Sequence, residues 1–130
     1  MAGILIIAHA PLAHVLRACA EHIYGNELER VIAIDVEPNA QHSTIIAQAV
    51  LALTTLNKQN SALILTDIYG GTPSNIATQV AQQHNVPLIA GINLPMLLRA
   101  ITYRKQPIHD LIKLTIVGGI QGVIQITPNS

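Results

Sequence analysis

Residues 62–75 read ALILTDIYGGTPSN, an apolar run that ends in Thr66-Asp67 and is followed by a glycine-rich turn. A short apolar run without polar alternation is typical of a strand that is buried on both faces of a sheet. The two glycines allow the backbone to turn sharply, and Pro73 suits the first turn of a helix. The segment therefore predicts a buried strand that leads directly into a helix.

The same strand-then-helix pattern repeats along the chain. Apolar runs lie at residues 3–8, 31–36, 62–66 and 88–92, and helical periodicity lies at residues 11–24, 40–58, 73–84, 95–103 and 108–117. This alternation predicts an α/β fold with an open, doubly wound parallel sheet and helices on both of its faces. The expected strand order is the common 2-1-3-4. After Gly118-Gly119, the run 123–126 is expected to add a short C-terminal edge strand, which could be exchanged in a dimer.

Length and composition narrow the class of protein. A chain of 130 residues fits one domain, so we expect residues 1–130 to form a single domain, with residues 120–130 as its C-terminal strand and tail. Seven basic and seven acidic residues balance, which gives no electrostatic reason to expect a nucleic-acid partner. No run is long and apolar enough for a membrane span or a signal peptide, so we expect a cytoplasmic protein without membrane insertion. Cys19 is the sole cysteine and is interpreted as a small buried thiol.

Two polar side chains follow neighbouring strands of the expected sheet. His9 comes at the end of the first strand and Asp67 at the end of the third, and the order 2-1-3-4 makes these two strands adjacent. Adjacent strands lie about 4.8 Å apart, so the two side chains can meet. A carboxylate bonded to one imidazole nitrogen fixes the tautomer and leaves the other nitrogen free to attack phosphorus. The pair His9 and Asp67 is therefore the candidate catalytic pair.

The turn after Asp67 is a candidate phosphate-binding loop. Gly70 and Gly71 allow close backbone approach, and Thr72 is expected to cap the following helix. Free backbone N–H groups at that helix start, together with the hydroxyls of Thr72 and Ser74, would hold phosphate oxygens. The loop lacks the G-x-x-x-x-G-K-[ST] pattern of nucleotide hydrolases, and no G-x-G-x-x-G follows the first strand.

The start of the first helix offers a second candidate for binding an anion. Ala10 occupies the expected cap position before Pro11 and provides no side-chain acceptor. The unpaired N–H groups of this helix are therefore either hydrated or reserved for a phosphoryl group.

The remaining histidines are interpreted as surface or helix-end residues. They are His14, His22, His42, His84 and His109. No H-x-x-x-H or H-E-x-x-H pairing occurs, so the sequence predicts neither a metal site nor a cofactor.

The sequence resembles the enzyme IIA domain of the mannose-fructose-sorbose class of the bacterial phosphoenolpyruvate-dependent sugar phosphotransferase system (PTS). The resemblance covers nearly the whole chain and is carried by Ala8-His9, by the segment 67–75, and by the segment 90–97, which reads AGINLPML. One departure is that Ala10-Pro11 follow the histidine, where family members commonly have a glycine.

The resemblance implies that His9 accepts a phosphoryl group from the small carrier HPr and passes it to an enzyme IIB component, with Asp67 orienting the ring. It further implies that Gly70, Gly71, Thr72 and Ser74 bind the phosphoryl group and that a rim is formed by Ala10, Asn93, Leu94, Pro95 and Met96. Family members form dimers, so a homodimer is also expected.

Three hypotheses about the biological role follow from the resemblance. The sequence closes at Ser130, whereas many relatives continue through a linker into a IIB domain, so a separate IIB protein is the expected acceptor. The alternative is a regulatory phosphoprotein whose His9 phosphorylation state controls a partner without sugar transport. A subunit that serves dihydroxyacetone kinase fits less well, because the loop 70–75 follows the mannose-class pattern.

Overall fold

The computed structural model describes residues 1–57 and 61–128, and its elements alternate between strand and helix over most of the chain. In order they are β1 (Gly3–His9), α1 (Leu12–Tyr24), β2 (Val31–Val36), α2 (His42–Leu56), β3 (Ala62–Thr66), α3 (Thr72–His84), β4 (Leu88–Ala90), α4 (Leu94–Thr102) and α5 (Ile108–Gln121).

The four strands form one parallel sheet in the order β2-β1-β3-β4, which confirms the expected architecture and strand order. Ala8 pairs with Asp35 of β2, and Ile7 pairs with Thr66 of β3. The carboxyl end of β1 therefore lies between the ends of β2 and β3. This arrangement brings His9, Asp35 and Asp67 to one edge of the sheet.

Helices cover both faces of the sheet because alternate strand residues point to opposite sides. Ile4, Ile6 and Ala8 of β1 join a core cluster that includes residues of α1, α4 and α5. Leu5 and Ile7 join a second cluster with residues of α2 and α3. All of these β1 side chains are fully buried, which explains why the strand reads as an uninterrupted apolar run.

The expected end of the last helix at Val117 is wrong. Helix α5 continues through both glycines to Gln121 because the absence of side chains lets it approach α4 closely. A Cβ at Gly118 would lie 2.5 Å from Arg99 Cβ, and one at Gly119 would lie 2.8 Å from Met96 Cε. These glycines serve helix packing instead of forming a turn.

The expected edge strand at residues 123–126 is not formed within the single chain. These residues follow the longer α5 and have no regular structure. Val123, Ile124 and Ile126 are 77%, 73% and 87% exposed. Three apolar side chains therefore face solvent close to the C-terminal end of the described chain.

The bounds of two helices and the exposure of Cys19 also differ from what the sequence predicts. Helix α1 begins at Leu12, with Pro11 as its cap residue, and α2 begins at His42, two residues later than expected. Its expected end at Lys58 lies outside the described residues. Cys19 is exposed, because it lies on the solvent side of α1. None of the helices described here has the length and apolar character needed to cross a membrane.

Candidate functional site

His9 and Asp67 meet at the carboxyl edge of the sheet, as the sequence predicts. Asp67 Oδ2 lies 2.7 Å from His9 Nδ1 and also accepts a bond of 3.0 Å from the His9 backbone N–H. The same carboxylate therefore holds both the backbone and the ring of His9. The ring is 53% exposed, whereas the Asp67 side chain is 12% exposed. The imidazole is thus fixed on one side and open to solvent on the other.

The surroundings of Asp67 favour its charged form. Burial raises the pKa of this carboxyl, but bonds from the His9 ring, the His9 amide and the Ile68 amide outweigh that effect. The resulting pKa lies below the ordinary value of 3.8, so Asp67 is ionised at neutral pH. An ionised partner at Nδ1 keeps the proton on that nitrogen and leaves the lone pair on Nε2.

The N-terminus of α3 faces the free side of the His9 ring. A Cβ built on Gly71 would lie 3.1 Å from His9 Cε1 and 3.5 Å from Nε2. Gly71 is the cap residue of α3 and provides no side-chain acceptor. Among the described residues, none accepts a hydrogen bond from the backbone N–H of Thr72 or Ser74. Open amides at a helix start attract anions, and here they lie next to the exposed imidazole.

The two hydroxyl residues of the loop differ from each other. Thr72 is exposed and is the first residue of α3, so it does not cap the helix as the sequence suggested. Ser74 is 1% exposed, and its Oγ accepts a bond of 3.2 Å from Gly70 N–H. Ser74 therefore shapes the turn from inside, and Gly70 takes up a positive φ of 95° that glycine adopts without strain.

The sequence did not predict the role of Asp35, which caps α1. Its Oδ1 accepts bonds from the N–H groups of Ala13 at 2.9 Å and His14 at 3.3 Å. Two of the α1 amides considered for a phosphoryl group are therefore already occupied by a carboxylate. The predicted strand order already placed Asp35 next to the end of β1. No local pattern, however, connects Asp35 to the start of a helix 21 positions earlier in the sequence.

The residues expected at the rim have mainly structural roles. Asn93 Oδ1 accepts a bond of 2.8 Å from Met96 N–H, and its Nδ2 donates to Gly119 O at 3.1 Å. Met96 is 6% exposed and belongs to the core. Leu94 and Pro95 are half-buried at the start of α4, and Ala10 is half-buried beside His9. The cis bond between Ala10 and Pro11 joins β1 to α1.

One loop residue connects the β4 end to the Asp67 turn. Gly91, at a φ of 99°, donates its N–H to Asp67 O at 2.8 Å and to Thr66 O at 3.0 Å. The positive φ favours glycine at this position. Gly91 therefore fixes the backbone of Asp67 from the other side.

Exposed apolar side chains follow His9 and Asp67 along the chain. Ile68 and Tyr69, next to Asp67, are 61% and 83% exposed, and Leu12 and Val15 of α1 are also exposed. Within residues 1–57 and 61–128, no group of three or more histidine, cysteine, aspartate or glutamate side chains could hold a metal ion. The site thus presents an exposed imidazole that is held by Asp67.

Comparison with known protein families identifies a match over residues 3–115 with the model described as "PTS system fructose IIA component". The mannose-specific EIIAB component of Escherichia coli K12 is 32% identical over 124 residues, which are 93% of this chain and 38% of that protein. The chain therefore spans well under half the length of that relative. The sorbose-specific EIIA component of Lacticaseibacillus casei is 31% identical over 111 residues, which are 84% of this chain and 79% of that protein.

Solved structures share the fold. A phosphotransferase system component EIIA from Streptococcus agalactiae superposes with a TM-score of 0.86 at 24% identity, covering 96% of this chain and 97% of that one. A mannose/sorbose-specific IIA subunit from Enterococcus faecalis superposes with a TM-score of 0.83 at 21% identity, covering 99% and 97%.

Proposed function

The chain belongs to the PTS fructose IIA component family, whose members take part in phosphoryl transfer, and from this premise we propose that His9 is its phosphoryl carrier. In this proposal His9 accepts a phosphoryl group from phospho-HPr and passes it to an enzyme IIB component. The observation that carries the proposal is the fixed and exposed His9 ring, bonded to Asp67 through Nδ1 and facing the open α3 N-terminus through Nε2.

The geometry favours Nε2 as the attacking atom. The Nδ1 proton is shared with Asp67, so the lone pair lies on Nε2. Attack forms an Nε2–P bond while the N–P bond of the donor histidine breaks, and the bonding electron pair returns to the donor ring. The His9 ring gains positive charge in this step, which the Asp67 carboxylate balances. Transfer to IIB runs the same step in reverse on a new acceptor.

The α3 N-terminus is the proposed cradle for the phosphoryl oxygens. The amides of Thr72 and Ser74 and the exposed Thr72 hydroxyl are available for bonding, whereas Pro73 contributes no N–H. Asp35 blocks the competing start of α1 with a negative charge. The phosphoryl group is therefore directed to α3, on the side of the ring opposite Asp67.

Substituting Gly71 with alanine tests this cradle. Its φ of −86° and ψ of 173° suit alanine, but the added Cβ would lie 3.5 Å from Nε2, in the space of the phosphoryl group. We expect His9 labelling by phospho-HPr to slow by about tenfold or more, with an unfolding free energy changed by less than about 1 kcal/mol. Gly25→Ala is the control for a glycine-to-alanine change away from the site, because Gly25 follows α1, its Cβ would contact nothing and its positive φ becomes strained, so stability should fall while labelling stays near the wild-type rate. Labelling of Gly71→Ala at the wild-type rate would show that this space is not used.

Exposure of the site suits transfer between proteins. Donor and acceptor imidazoles must approach the same phosphorus from opposite sides, which a deep cavity would prevent. Exposed apolar side chains follow both members of the pair along the chain, namely Leu12 and Val15 after His9 and Ile68 and Tyr69 after Asp67. Exposed apolar side chains suit brief docking of successive partners, here HPr and then IIB.

A homodimer is also proposed, formed at the open edge of β4. Within the described part of the chain, β4 pairs with β3 on one side and with no strand on the other, and a groove beside β4 is lined by Ile89, Ile116, Ile120 and Val123. The exposed apolar segment 123–126 has a composition suited to add as a strand to the β4 edge of a second copy.

The test of the proposed function is stepwise phosphoryl transfer. The protein is incubated with phosphoenolpyruvate, enzyme I and HPr, and we expect an acid-labile phosphoryl group on His9 Nε2, located by NMR of the intact protein. Addition of IIB should then remove the label. Absence of label on His9 would contradict the proposal, and a label that IIB leaves untouched would favour the regulatory hypothesis instead.

A further inference from the structure

A second imidazole–carboxylate pair lies on the other side of β1. His14 Nδ1 is 2.5 Å from Asp35 Oδ2, and the His14 backbone N–H donates to Oδ1 of the same carboxylate at 3.3 Å. In the first pair, Asp67 likewise bonds both the ring Nδ1 and the backbone N–H of His9. Each histidine is therefore bonded twice by one aspartate at the carboxyl edge of the sheet.

The chemical consequence is the same in both pairs. A carboxylate at Nδ1 keeps the proton there and leaves the lone pair on Nε2. The His14 side chain is 62% exposed, slightly more than that of His9, and no residue in the described part of the chain bonds its Nε2. Asp35 is itself fixed by the Ala13 and His14 amides, so the ring is oriented before any partner arrives.

We propose that His14 is a second phosphoryl acceptor, which takes the group at Nε2 from an N–P donor such as a phosphohistidine or phosphoramidate. Attack forms the Nε2–P bond of His14 and breaks the N–P bond of the donor, whose nitrogen keeps the electron pair. The Nδ1 proton stays between His14 and Asp35, whose charge balances the ring. No additional reactant is needed.

The two acceptors differ in what surrounds Nε2. His9 faces the open amides of α3, whereas Asp35 occupies the Ala13 and His14 amides of α1. The phosphoryl oxygens on His14 therefore remain in solvent or in the donor's own binding site. We expect His14 to be labelled more slowly than His9 for this reason.

The experiment uses phosphoramidate, a small donor that needs no docking surface. Wild type, His9→Ala, His14→Ala and the double variant are incubated with it, and phosphoryl groups are counted by intact-protein mass spectrometry at alkaline pH. The expected numbers are two, one, one and none, with the group in His9→Ala linked to His14 Nε2 by phosphorus NMR. Adding Asp35→Asn to His9→Ala should slow labelling about tenfold, because asparagine still caps the helix but carries no charge.

Three results would overturn this inference. They are an unlabelled His9→Ala protein, an Asp35→Asn substitution without effect on His14, and equal labelling of His22, which is exposed on α1 without a bonded carboxylate. If His9 were not a phosphoryl acceptor, the His14→Ala protein would carry no phosphoryl group, which is a different result from the three above. The two proposals are therefore tested separately.

Discussion

Replacement of His9 by alanine is expected to reduce phosphoryl transfer from HPr to IIB by at least about a thousandfold, because it removes the attacking nitrogen itself. The side chain is half exposed, and among the described residues its polar contact is with Asp67, so the fold should persist. Transfer is measured by mixing phosphorylated HPr, the variant and IIB, and following the label on IIB. Any slow labelling of His14 would not replace this route, because that residue lies on the other side of β1 from the α3 cradle.

The matched control is His22→Ala, which removes an exposed histidine from α1 far along the helix. Its transfer rate should stay within about twofold of wild type, as is usual for surface substitutions. If His9→Ala carried label to IIB at the wild-type rate, His9 would not be the carrier. Circular dichroism and thermal unfolding of both variants would verify that a slow rate reflects chemistry.

Asp67→Asn is expected to slow labelling of His9 by about a hundredfold. Asp67 Oδ2 accepts from both the backbone N–H and the ring Nδ1 of His9, and Oδ1 accepts from the Ile68 N–H, so an amide nitrogen at either position loses at least one of these bonds and holds the ring less firmly. The variant also lacks the charge that balances the phosphorylated ring. The measurement is the initial rate of His9 labelling by phospho-HPr, followed by rapid quenching.

The same substitution at the second pair, Asp35→Asn, is the control for this prediction. It replaces one carboxylate oxygen of the residue that caps α1 by an NH2 group. His9 labelling by this variant should stay within about twofold of wild type, because Asp35 does not hydrogen-bond the His9 ring. Equal rates for Asp67→Asn and wild type would remove Asp67 from the mechanism.

The pH dependence of the unfolding free energy gives an independent measure of the His9–Asp67 contact. The pKa of Asp67 is lower in the folded protein than its ordinary value of 3.8, so the charged form stabilises the fold. This contribution is complete above about pH 5 and is lost as the pH falls through the folded-state pKa. The difference in unfolding free energy between wild type and Asp67→Asn should therefore be constant near neutrality and decrease below pH 3.8.

Much of the fold could be predicted because its signals are local. The runs of Ile, Leu and Val in β1 and β3 form strands buried on both faces, and such strands require covering helices on each side. Strand order 2-1-3-4 then placed His9 beside Asp67, although 58 positions separate them. For this pair, the repeating pattern was sufficient.

Other expectations involved contacts that the periodicity of the sequence does not encode. Ser74 was expected to bind phosphate through its hydroxyl, and in the structure this hydroxyl accepts a bond from the Gly70 N–H four residues earlier. The last helix was expected to end at Val117, but Gly118 and Gly119 pack closely against α4 and belong to α5. For the two glycines, the neighbouring helix decided the role.

The sequence by itself determined the α/β architecture and the His9–Asp67 pair, since apolar runs, helical periodicity and the usual strand order follow from short-range chemistry. Only the tertiary structure decided that Asp35 caps α1 and orients His14, while the amides at the α3 N-terminus stay open. The physical reason is that a carboxylate at the end of β2 can reach the amides of α1 only after β2 has paired with β1.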